Sequence, residues 1–400
     1  MTSRDFRKKE FKRTQIRGGD RAAELEREYK KHKRITRIVV LSIIGAIVLF
    51  CAGVFVFTRF HRYSDFEVKW EKELSEGSFS GYEYFGENVV KYSHDGASYL
   101  DKNGSELWVD TYEMNNPHAY VAGDYICIYD AQGNLVRTYD RNGQVGSATT
   151  ILAITKACIS EAGNFAVVVE DSDASYIDFY AKDGTEQDIS IKTRLAGEGY
   201  PIDISLSPEG TQLISAFAYL DGNAMRTKTV FYDFSEIGKN IPNRLVGAFE
   251  ESFADSMLAR VRFINSTYSY AAADTGIYFF SSKNLSSPEI IAEITSEEVI
   301  EKIFNFKNHV GVVYSNHLVV YKADGTVAFE KELPTECDTV VSDGRYIYFI
   351  SSDKLTIINT QGTVKYEGPV SDAPKIITSL PGFGAFIFAG TTYIKEAVFK

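Results

Sequence analysis

The chain has 400 residues, of which 44% are hydrophobic and 24% charged, so it is long and apolar enough to bury a sizeable core. This composition excludes a disordered or fibrous chain, and only 4 cysteines exclude a disulfide framework. The net charge of −11 is unevenly divided, because residues 1–37 carry 14 Lys and Arg against 6 Asp and Glu, which leaves −19 for the rest. The strongly negative net charge of residues 38–400 argues against direct binding of nucleic acid or anionic polymers.

The first predicted element is an apolar segment of 21 residues at positions 38–58, which contains no charged residue. As a helix it would be about 30 Å long, the thickness of the hydrocarbon layer of a bilayer. We therefore predict a single transmembrane helix in contact with lipid. A cleaved signal peptide is disfavoured because 37 residues precede the segment and no small-residue cleavage site follows it cleanly.

The basic tail before this segment predicts its orientation. Lys30, Lys31, Lys33, Arg34 and Arg37 all lie upstream, so the positive-inside rule places the N-terminus in the cytoplasm and the C-terminal part outside the cell membrane. Within the tail, Gly18-Gly19 predicts a break that is followed by a short helix over residues 20–34.

A repeated motif runs through the outer part of the chain. An apolar or aromatic stretch leads into a turn that ends in glycine, and successive copies are spaced by 39, 41, 141 and 37 residues. The longest spacing equals three periods of 47 and holds two degenerate copies near residues 230–233 and 277–280. The five clear copies end at Gly104, Gly143, Gly184, Gly325 and Gly362.

Each copy predicts a β-hairpin, in which the glycine supplies the positive φ of a tight turn. Two further short strands precede each copy, so that four strands make up one period of about 40 residues, which is typical of a β-propeller blade. A β-sandwich is the alternative architecture. The predicted blades cover residues 82–112, 115–150, 153–193, 200–249, 255–294, 299–333, 336–368 and 373–400.

The last blade lacks one strand, and residues 66–74 are predicted to supply it. Their sequence resembles that of the strand at residues 327–333, so the N-terminal strand would close the ring. The prediction is an all-β, eight-bladed propeller, with seven blades as the alternative count. The predicted organisation is a cytoplasmic tail at 1–37, a transmembrane helix at 38–58, a linker at 59–65 and an extracytoplasmic propeller at 66–400.

Two short motifs carry a family resemblance. Residues 100–108, LDKNGSELW, resemble the Asp-Gly-Trp repeat of quinoprotein-like propellers, and residues 207–211, SPEGT, are similar to a turn of WD40-like and TolB-like propellers. The whole arrangement resembles an uncharacterised family of single-pass membrane-anchored β-propeller proteins of Gram-positive bacteria. This resemblance implies a fold and a location, but no activity.

The motifs of known chemistries are incomplete in this chain. Most blades lack the repeat tryptophan of quinone enzymes, since the only tryptophans are Trp70 and Trp108. Residues 170–175 begin like a calcium loop, but Tyr176 and Lys182 occupy its glycine and glutamate positions, so a solvated turn is expected. The sequence predicts no catalytic residue, no cofactor and no metal site.

Histidine and cysteine are also assigned structural roles. No histidine pair has the spacing of a metal site, and surface turns are expected for His309 and His317; the remaining four are His32, His61, His94 and His118. Cysteines in or beside apolar strands are expected to be buried thiols; these are Cys127, Cys158 and Cys337.

The resulting functional hypothesis is a non-enzymatic scaffold that binds another protein of the cell envelope. The alternative is a glycan-binding module or hydrolase at the cell wall, and a sensor that signals through the basic tail is a third possibility. Three segments are predicted as loops that reach a partner, at residues 114–117, 196–199 and 220–227.

Overall fold

The computed structural model describes residues 3–74, 79–194, 197–315, 317–333, 337–381 and 384–400. These residues form two compact units, residues 1–61 and residues 62–400. The first unit consists of one helix, α1 (Ser3–Phe60). The second consists of β-strands, with three short 3₁₀ segments in two connections of its middle part, at Gly238–Asn240, Pro242–Arg244 and Glu251–Phe253.

Helix α1 contains the predicted apolar segment. Residues Tyr29–Phe57 form a helix that is long and apolar enough to cross a membrane. Its large side chains are exposed, and Leu49 and Phe50 are 75% and 72% accessible. The predicted break at Gly18-Gly19 is wrong, because the helix runs through both glycines without interruption. Glycine lowers helix stability by only about 1 kcal/mol per residue, which does not suffice to end a helix that continues on both sides.

The second unit is an eight-bladed β-propeller in which every blade is a four-stranded antiparallel sheet. The eight blades confirm the predicted count over the alternative of seven and the propeller over the sandwich. The strands of the first four blades are β2 (Gly81–Phe85), β3 (Asn88–Tyr92), β4 (Gly96–Leu100) and β5 (Glu106–Thr111); β6 (Pro117–Ala122), β7 (Tyr125–Asp130), β8 (Leu135–Asp140) and β9 (Gly143–Thr149); β10 (Ala153–Ile159), β11 (Phe165–Glu170), β12 (Ala174–Tyr180) and β13 (Glu186–Arg194); and β14 (Tyr200–Leu206), β15 (Gln212–Asp221), β16 (Ala224–Asp233) and β17 (Leu245–Phe249).

The other four blades continue in the same order, and the eighth takes its outer strand from the N-terminal side. Their strands are β18 (Leu258–Phe263), β19 (Tyr268–Ala273), β20 (Gly276–Ser281) and β21 (Glu289–Thr295); β22 (Ile300–Phe306), β23 (His309–Tyr314), β24 (His317–Lys322) and β25 (Val327–Glu332); β26 (Thr339–Ser342), β27 (Tyr346–Ile350), β28 (Lys354–Asn359) and β29 (Val364–Pro369); and β30 (Ile376–Ser379), β31 (Ala385–Ala389), β32 (Tyr393–Phe399) and β1 (Phe66–Glu73).

Strand β1 closes the ring, as predicted for residues 66–74. It pairs antiparallel with β32, from Phe66 opposite Phe399 to Glu73 opposite Tyr393. The ring of Phe66 lies 5.2 Å from that of Phe399 and 5.6 Å from that of Phe388, measured between centroids. The closing strand therefore contributes aromatic packing as well as backbone hydrogen bonds.

The core lies between neighbouring blades. Side chains of one sheet pack against those of the next, as Tyr129 and Val136 of the second blade do against Val167 of the third. The first strands of neighbouring blades contact one another, so they form the innermost ring around the central channel. This arrangement places the first strand of each blade at the channel and the fourth at the rim.

The antiparallel order gives the propeller two different faces. The connections between first and second and between third and fourth strands lie on one side, which we call the turn face. The connections between second and third strands and those between blades lie on the other, which we call the loop face. The chain enters the propeller at the turn face, because β1 begins at Phe66, opposite the end of β32.

Candidate functional site

A cavity opens within the central channel, toward the turn face. Its volume is about 650 Å³, which is within the range of small-molecule sites. First strands and first turns of blades 1 to 6 form its wall. The polar and aromatic residues that line it are Glu83, Tyr120, Glu161, Arg260, Arg262, Phe263, Asn305, Phe306 and Lys307.

Arg262, on the first strand of blade 5, is held in place by blades 2 and 4. Its guanidinium carbon lies 3.9 Å from the centroid of the Tyr120 ring, which is a close cation–π contact. The Tyr120 hydroxyl forms a hydrogen bond of 2.9 Å with Ser205 Oγ. Asp203 lies near the guanidinium, and its Oδ2 accepts a hydrogen bond of 2.9 Å from the Val261 amide. Burial raises the pKa of Tyr120 to about 12, although the charge of Arg262 acts in the opposite direction.

Arg260 is the second cation of the channel. Its Nη1 donates a hydrogen bond of 3.1 Å to the Ile303 carbonyl oxygen of the next blade, and its positive charge opposes the rise that burial causes in the pKa of Tyr270. The Tyr270 hydroxyl donates to Asn305 Oδ1 at 2.8 Å. A guanidinium has five N–H donors, so the bond to Ile303 orients Arg260 and leaves further donors for the cavity that it lines.

Glu83 is the carboxyl group that faces these arginines, from the first strand of blade 1. Blades 1 and 5 are opposite each other in a ring of eight, so the charges face each other across the channel. Burial raises the pKa of Glu83 to about 7, and the charges of Arg262 and Arg260 only partly offset this effect. No ion pair joins Glu83 to an arginine within the part of the chain that the structure describes.

The loop face carries a second candidate surface, made of exposed apolar side chains. Strands β15 and β16 extend beyond the other strands as a hairpin, and at its tip Leu220 and Met225 are directly opposite in register, with 64% and 50% of their surface exposed. Arg226 fixes this tip, donating from Nε to Asp221 Oδ2 at 2.9 Å and from Nη1 to the Ala254 carbonyl oxygen at 2.6 Å. Three further exposed apolar residues on this face are Ile151, Met257 and Val299.

The two faces differ sharply in charge. Among the described residues that connect strands on the loop face, fourteen are acidic and only Lys375 is a lysine or arginine. The connections of the turn face hold nine acidic and eight basic residues in the described part of the chain. The loop-face acids are Asp95, Glu113, Asp171, Asp173, Glu198, Glu250, Glu251, Asp255, Asp274, Glu297, Glu298, Asp338, Asp353 and Asp372.

A smaller cavity of about 580 Å³ lies on the loop face beside the closing strand. Glu71, Glu73 and Asp372 line it together with Lys375 and Tyr393. Its lining is thus acidic, like the rest of this face. The described residues contain no group of three or more His, Cys, Asp and Glu side chains that could hold a metal ion.

The structure places the residues considered in the sequence outside the channel cavity. Trp108 lies on the outer strand β5 and stacks on Tyr139 of the next blade at 5.0 Å between centroids, and Trp70 Nε1 donates to Glu396 at 2.6 Å. Cys127 and Cys158 are buried, as predicted, whereas Cys337 is only half-buried. Residues 170–175 include the turn between β11 and β12.

The histidines are also separate from the cavity. The prediction of surface turns for His309 and His317 is wrong, because these residues begin strands β23 and β24 and are half-buried. His309 stacks on Phe306, and His317 stacks on Tyr314. Both imidazoles therefore pack against aromatic rings at the ends of strands.

The predicted partner loops have different outcomes. Met114 is only 2% exposed and packs in the core between the first two blades, so the segment 114–117 projects less than predicted. Residues 220–227 are the tip of the β15–β16 hairpin, so the predicted loop is a strand extension. The prediction for residues 196–199 falls partly on Ala196, which lies outside the described residues.

The sequence analysis missed Glu83, Arg260 and Arg262. The signal was present in β18, where Leu258-Ala259-Arg260-Val261-Arg262-Phe263 alternates charged and apolar residues although the strand is the innermost of its blade. Elsewhere, such alternation indicates a strand with one solvated face. Only the closed ring brings these arginines opposite Glu83, which is 177 positions away from Arg260 in the sequence.

Comparison with known proteins identifies the family. Residues 59–398 match DUF5711, described as a family of unknown function. The chain belongs to this family. No curated protein matches the sequence.

Several solved structures share the DUF5711 chain's fold. BamB from Moraxella catarrhalis is similar over 84% of this chain and 100% of its own, with 14% identity and a TM-score of 0.51. Sqt1 from Chaetomium thermophilum is similar over 85% and 97%, with 12% identity and a TM-score of 0.53. AztD from Citrobacter koseri is similar over 74% and 86%, with 14% identity and a TM-score of 0.51. At these identities the similarity shows the propeller fold alone.

Proposed function

We propose that this protein is a membrane-anchored scaffold whose propeller lies outside the cell membrane and holds another envelope protein at its loop face. The observation that carries the proposal is the combination, on one face, of exposed apolar side chains with connecting segments whose described residues include fourteen acids and one lysine. Arg226, at the hairpin tip on the same face, is paired with Asp221. Apolar anchors supply binding energy, and a single-sign charge pattern selects the partner and speeds its association. The partner that fits is a polypeptide segment with apolar side chains flanked by Lys and Arg.

The proposed anchor is the uncharged segment 38–58 of α1, most of which lies within the span Tyr29–Phe57 that is long and apolar enough to cross a membrane. The basic residues before it favour a cytoplasmic N-terminus, since positive charge is retained on that side during insertion. With this orientation the propeller, residues 62–400, is extracytoplasmic. The propeller's first strand begins at the turn face, opposite the end of β32.

The orientation is tested by labelling a cysteine introduced at Ile151, which is fully exposed. In a background in which Cys51 and Cys337 are replaced by serine, a membrane-impermeant maleimide should label Ile151→Cys in intact cells. A cysteine in place of Ser3 should react only after the cells are permeabilised. The reverse pattern would place the propeller in the cytoplasm and refute this part of the proposal.

The docking surface is tested with the variant Leu220→Ser/Met225→Ser. Because both side chains are largely exposed, the melting temperature should stay within about 2 °C of wild type, while cross-linked partner recovered from membranes falls at least about tenfold. The matched control is Ile237→Ser, on the turn face of the same blade, where the apolar side chain is 46% exposed. Equal recovery from the double variant and the control would refute docking at the hairpin tip.

A glycan-binding module or hydrolase remains the second candidate, because the channel cavity combines aromatic and acidic side chains. Tyr120, Phe263 and Phe306 line it together with Glu83 and Glu161. Aromatic rings pack on sugar rings, and paired carboxyl groups are the reactive groups of glycosidases. Saturable turnover of a wall glycan by the purified protein, abolished in Glu83→Gln, would support this function over the scaffold.

A further inference from the structure

We propose that the channel cavity binds a small hydroxylated organic anion, whose acidic group lies against Arg260 and Arg262 and whose hydroxyl groups reach toward Glu83. This inference does not depend on docking at the loop face. It assigns a class of ligand to a cavity for which the description of the family names no ligand.

The first step of the argument is the unused capacity of the two arginines. Both arginines line the cavity, yet within the described part of the chain Arg260 donates one hydrogen bond, to the Ile303 carbonyl oxygen. Arg262 approaches the Ile204 carbonyl oxygen at 3.5 Å, which is at the limit of hydrogen bonding. Guanidinium N–H groups in fixed orientation bind carboxylate and phosphate in a bidentate manner, so the wall is ready to receive an oxyanion.

The second step is the gap between these cations and the opposing acid. Glu83 is influenced by both arginines but forms no ion pair with them in the described part of the structure. The rigid ring of blades keeps these side chains on opposite walls. A ligand in the gap can therefore contact the arginines with its anionic group and offer hydroxyl donors to Glu83 on the other side.

The third step concerns size and lining. A volume of about 650 Å³ accommodates a molecule of the size of a sugar acid or sugar phosphate. The ring of Tyr120, already stacked under Arg262, and the nearby Phe263 add apolar surface against which a ring-shaped ligand can pack. Lys307 and Glu161, on turns at the turn-face opening, add one charge of each sign to the lining.

The test is calorimetric titration of the full chain, purified in detergent, with D-glucuronate, glucose 6-phosphate and neutral D-glucose. We expect at least one anion to bind and glucose to bind at least about tenfold more weakly, because glucose lacks the charged group. The two anions distinguish a carboxylate ligand from a phosphate ligand. Arg260→Gln should raise the dissociation constant about tenfold or more, the usual effect of losing a charge-assisted hydrogen bond.

The matched control is Arg345→Gln. Like Arg260, Arg345 donates from Nη1 to one backbone carbonyl oxygen of the next blade, that of Leu380 at 3.3 Å, but it is exposed on the turn face outside the cavity. Its substitution should leave the dissociation constant within about twofold. If Arg260→Gln does not fold, Arg260→Lys serves instead, since it keeps the charge and loses the planar pair of donors.

Three results would overturn the inference. The first is that neither anion binds at about 10 mM. The second is that the substitution at position 260 leaves binding as in wild type. The third is that glucose binds as tightly as the anions, an outcome that would support the glycan-binding candidate while refuting the role of the arginines.

Discussion

Glu83 is a carboxyl group of the channel wall whose pKa is strongly raised. Its pKa is raised from 4.5 to about 7 by burial, against the opposing influence of Arg262 and Arg260. A carboxyl group whose pKa is higher in the folded than in the unfolded chain stabilises the fold at low pH. This contribution is complete below pH 4.5 and is lost as the pH rises through 7.

The residue-scale prediction is that Glu83→Gln removes this pH dependence. Between pH 5 and pH 8 the free energy of unfolding of wild type should fall by about 2.5 kcal/mol more than that of the variant, from the difference between a pKa of 4.5 in the unfolded chain and about 7 in the folded one. The measurement is denaturant unfolding at each pH, followed by the fluorescence of Trp70 and Trp108. Glu87→Gln, on the exposed turn of the same blade, is the control, and an identical pH slope in wild type and Glu83→Gln would contradict the account.

The repeat glycines give a second prediction at this scale. Gly184 has φ +88°, and a Cβ atom there would lie 2.1 Å from the Ser147 carbonyl oxygen of the neighbouring blade. Gly222, with φ +62°, has no atom within 4 Å of the same position. Both alanine variants incur the cost of a positive φ, about 1 kcal/mol, but only Gly184→Ala must also displace backbone.

We therefore expect Gly184→Ala to lose about 3 kcal/mol of unfolding free energy and Gly222→Ala about 1 kcal/mol. Equilibrium denaturation of the two variants, analysed with a common slope, provides the comparison. Equal losses would mean that the contact between blades at Ser147 adjusts without cost.

At the residue scale, the sequence was informative about turns and uninformative about the channel. The Asn-Gly and Asp-Gly pairs predicted hairpins because the turn geometry is local. Glu83 and Arg260 lie on opposite walls of the channel only because the whole ring of blades closes. No local sequence pattern predicts that placement.

At the scale of single elements, β1 is the strand on which the ring depends. It covers the edge of β32, which would otherwise expose unpaired backbone groups, and it packs Phe66 against Tyr366, Phe388 and Phe399. This role was predicted because the last blade lacked one strand and residues 66–74 resemble the strand at residues 327–333.

Deletion of residues 66–74 should therefore lower the melting temperature by on the order of 10 °C, or prevent folding, because both backbone pairing and aromatic packing are lost. Differential scanning calorimetry of the deletion variant measures the effect. The matched control is a chain that starts at residue 62, which lacks the helix but keeps β1 and should melt like the full-length propeller. An unchanged melting temperature after deletion of 66–74 would contradict the closure seen in the sheet of blade 8.

Two other elements differ from their sequence predictions for physical reasons. The β15–β16 hairpin continues its ladder to Asp221 opposite Ala224, because alternating pairs such as Tyr219 and Arg226 support strand pairing beyond the usual blade length. Helix α1 runs through two glycines, because continuous helix on both sides outweighs their low propensity. In both cases, tertiary or neighbouring structure overrides a local preference.

At the scale of the whole propeller, charge separates the faces. The connections of the loop face are strongly acidic, and this face carries Ile151, Leu220, Met225 and Val299, whereas the described connections of the turn face are nearly balanced in charge. The sequence predicted an acidic outer domain, but the net charge of the whole domain does not show that the acids are concentrated on one face. The assignment of each connection to a face requires the strand order, which only the folded sheets provide.

The proposed function requires that the loop face bind a basic, apolar segment of another envelope protein. The most direct measurement places a photo-crosslinking amino acid at position 220 or, on the opposite face of the same blade, at position 237, and irradiates intact cells. We predict that position 220 captures one protein, through a peptide that contains Lys or Arg beside apolar residues, and that position 237 does not. Capture of the same protein from both positions, of nothing from position 220, or of an acidic peptide there would contradict the account.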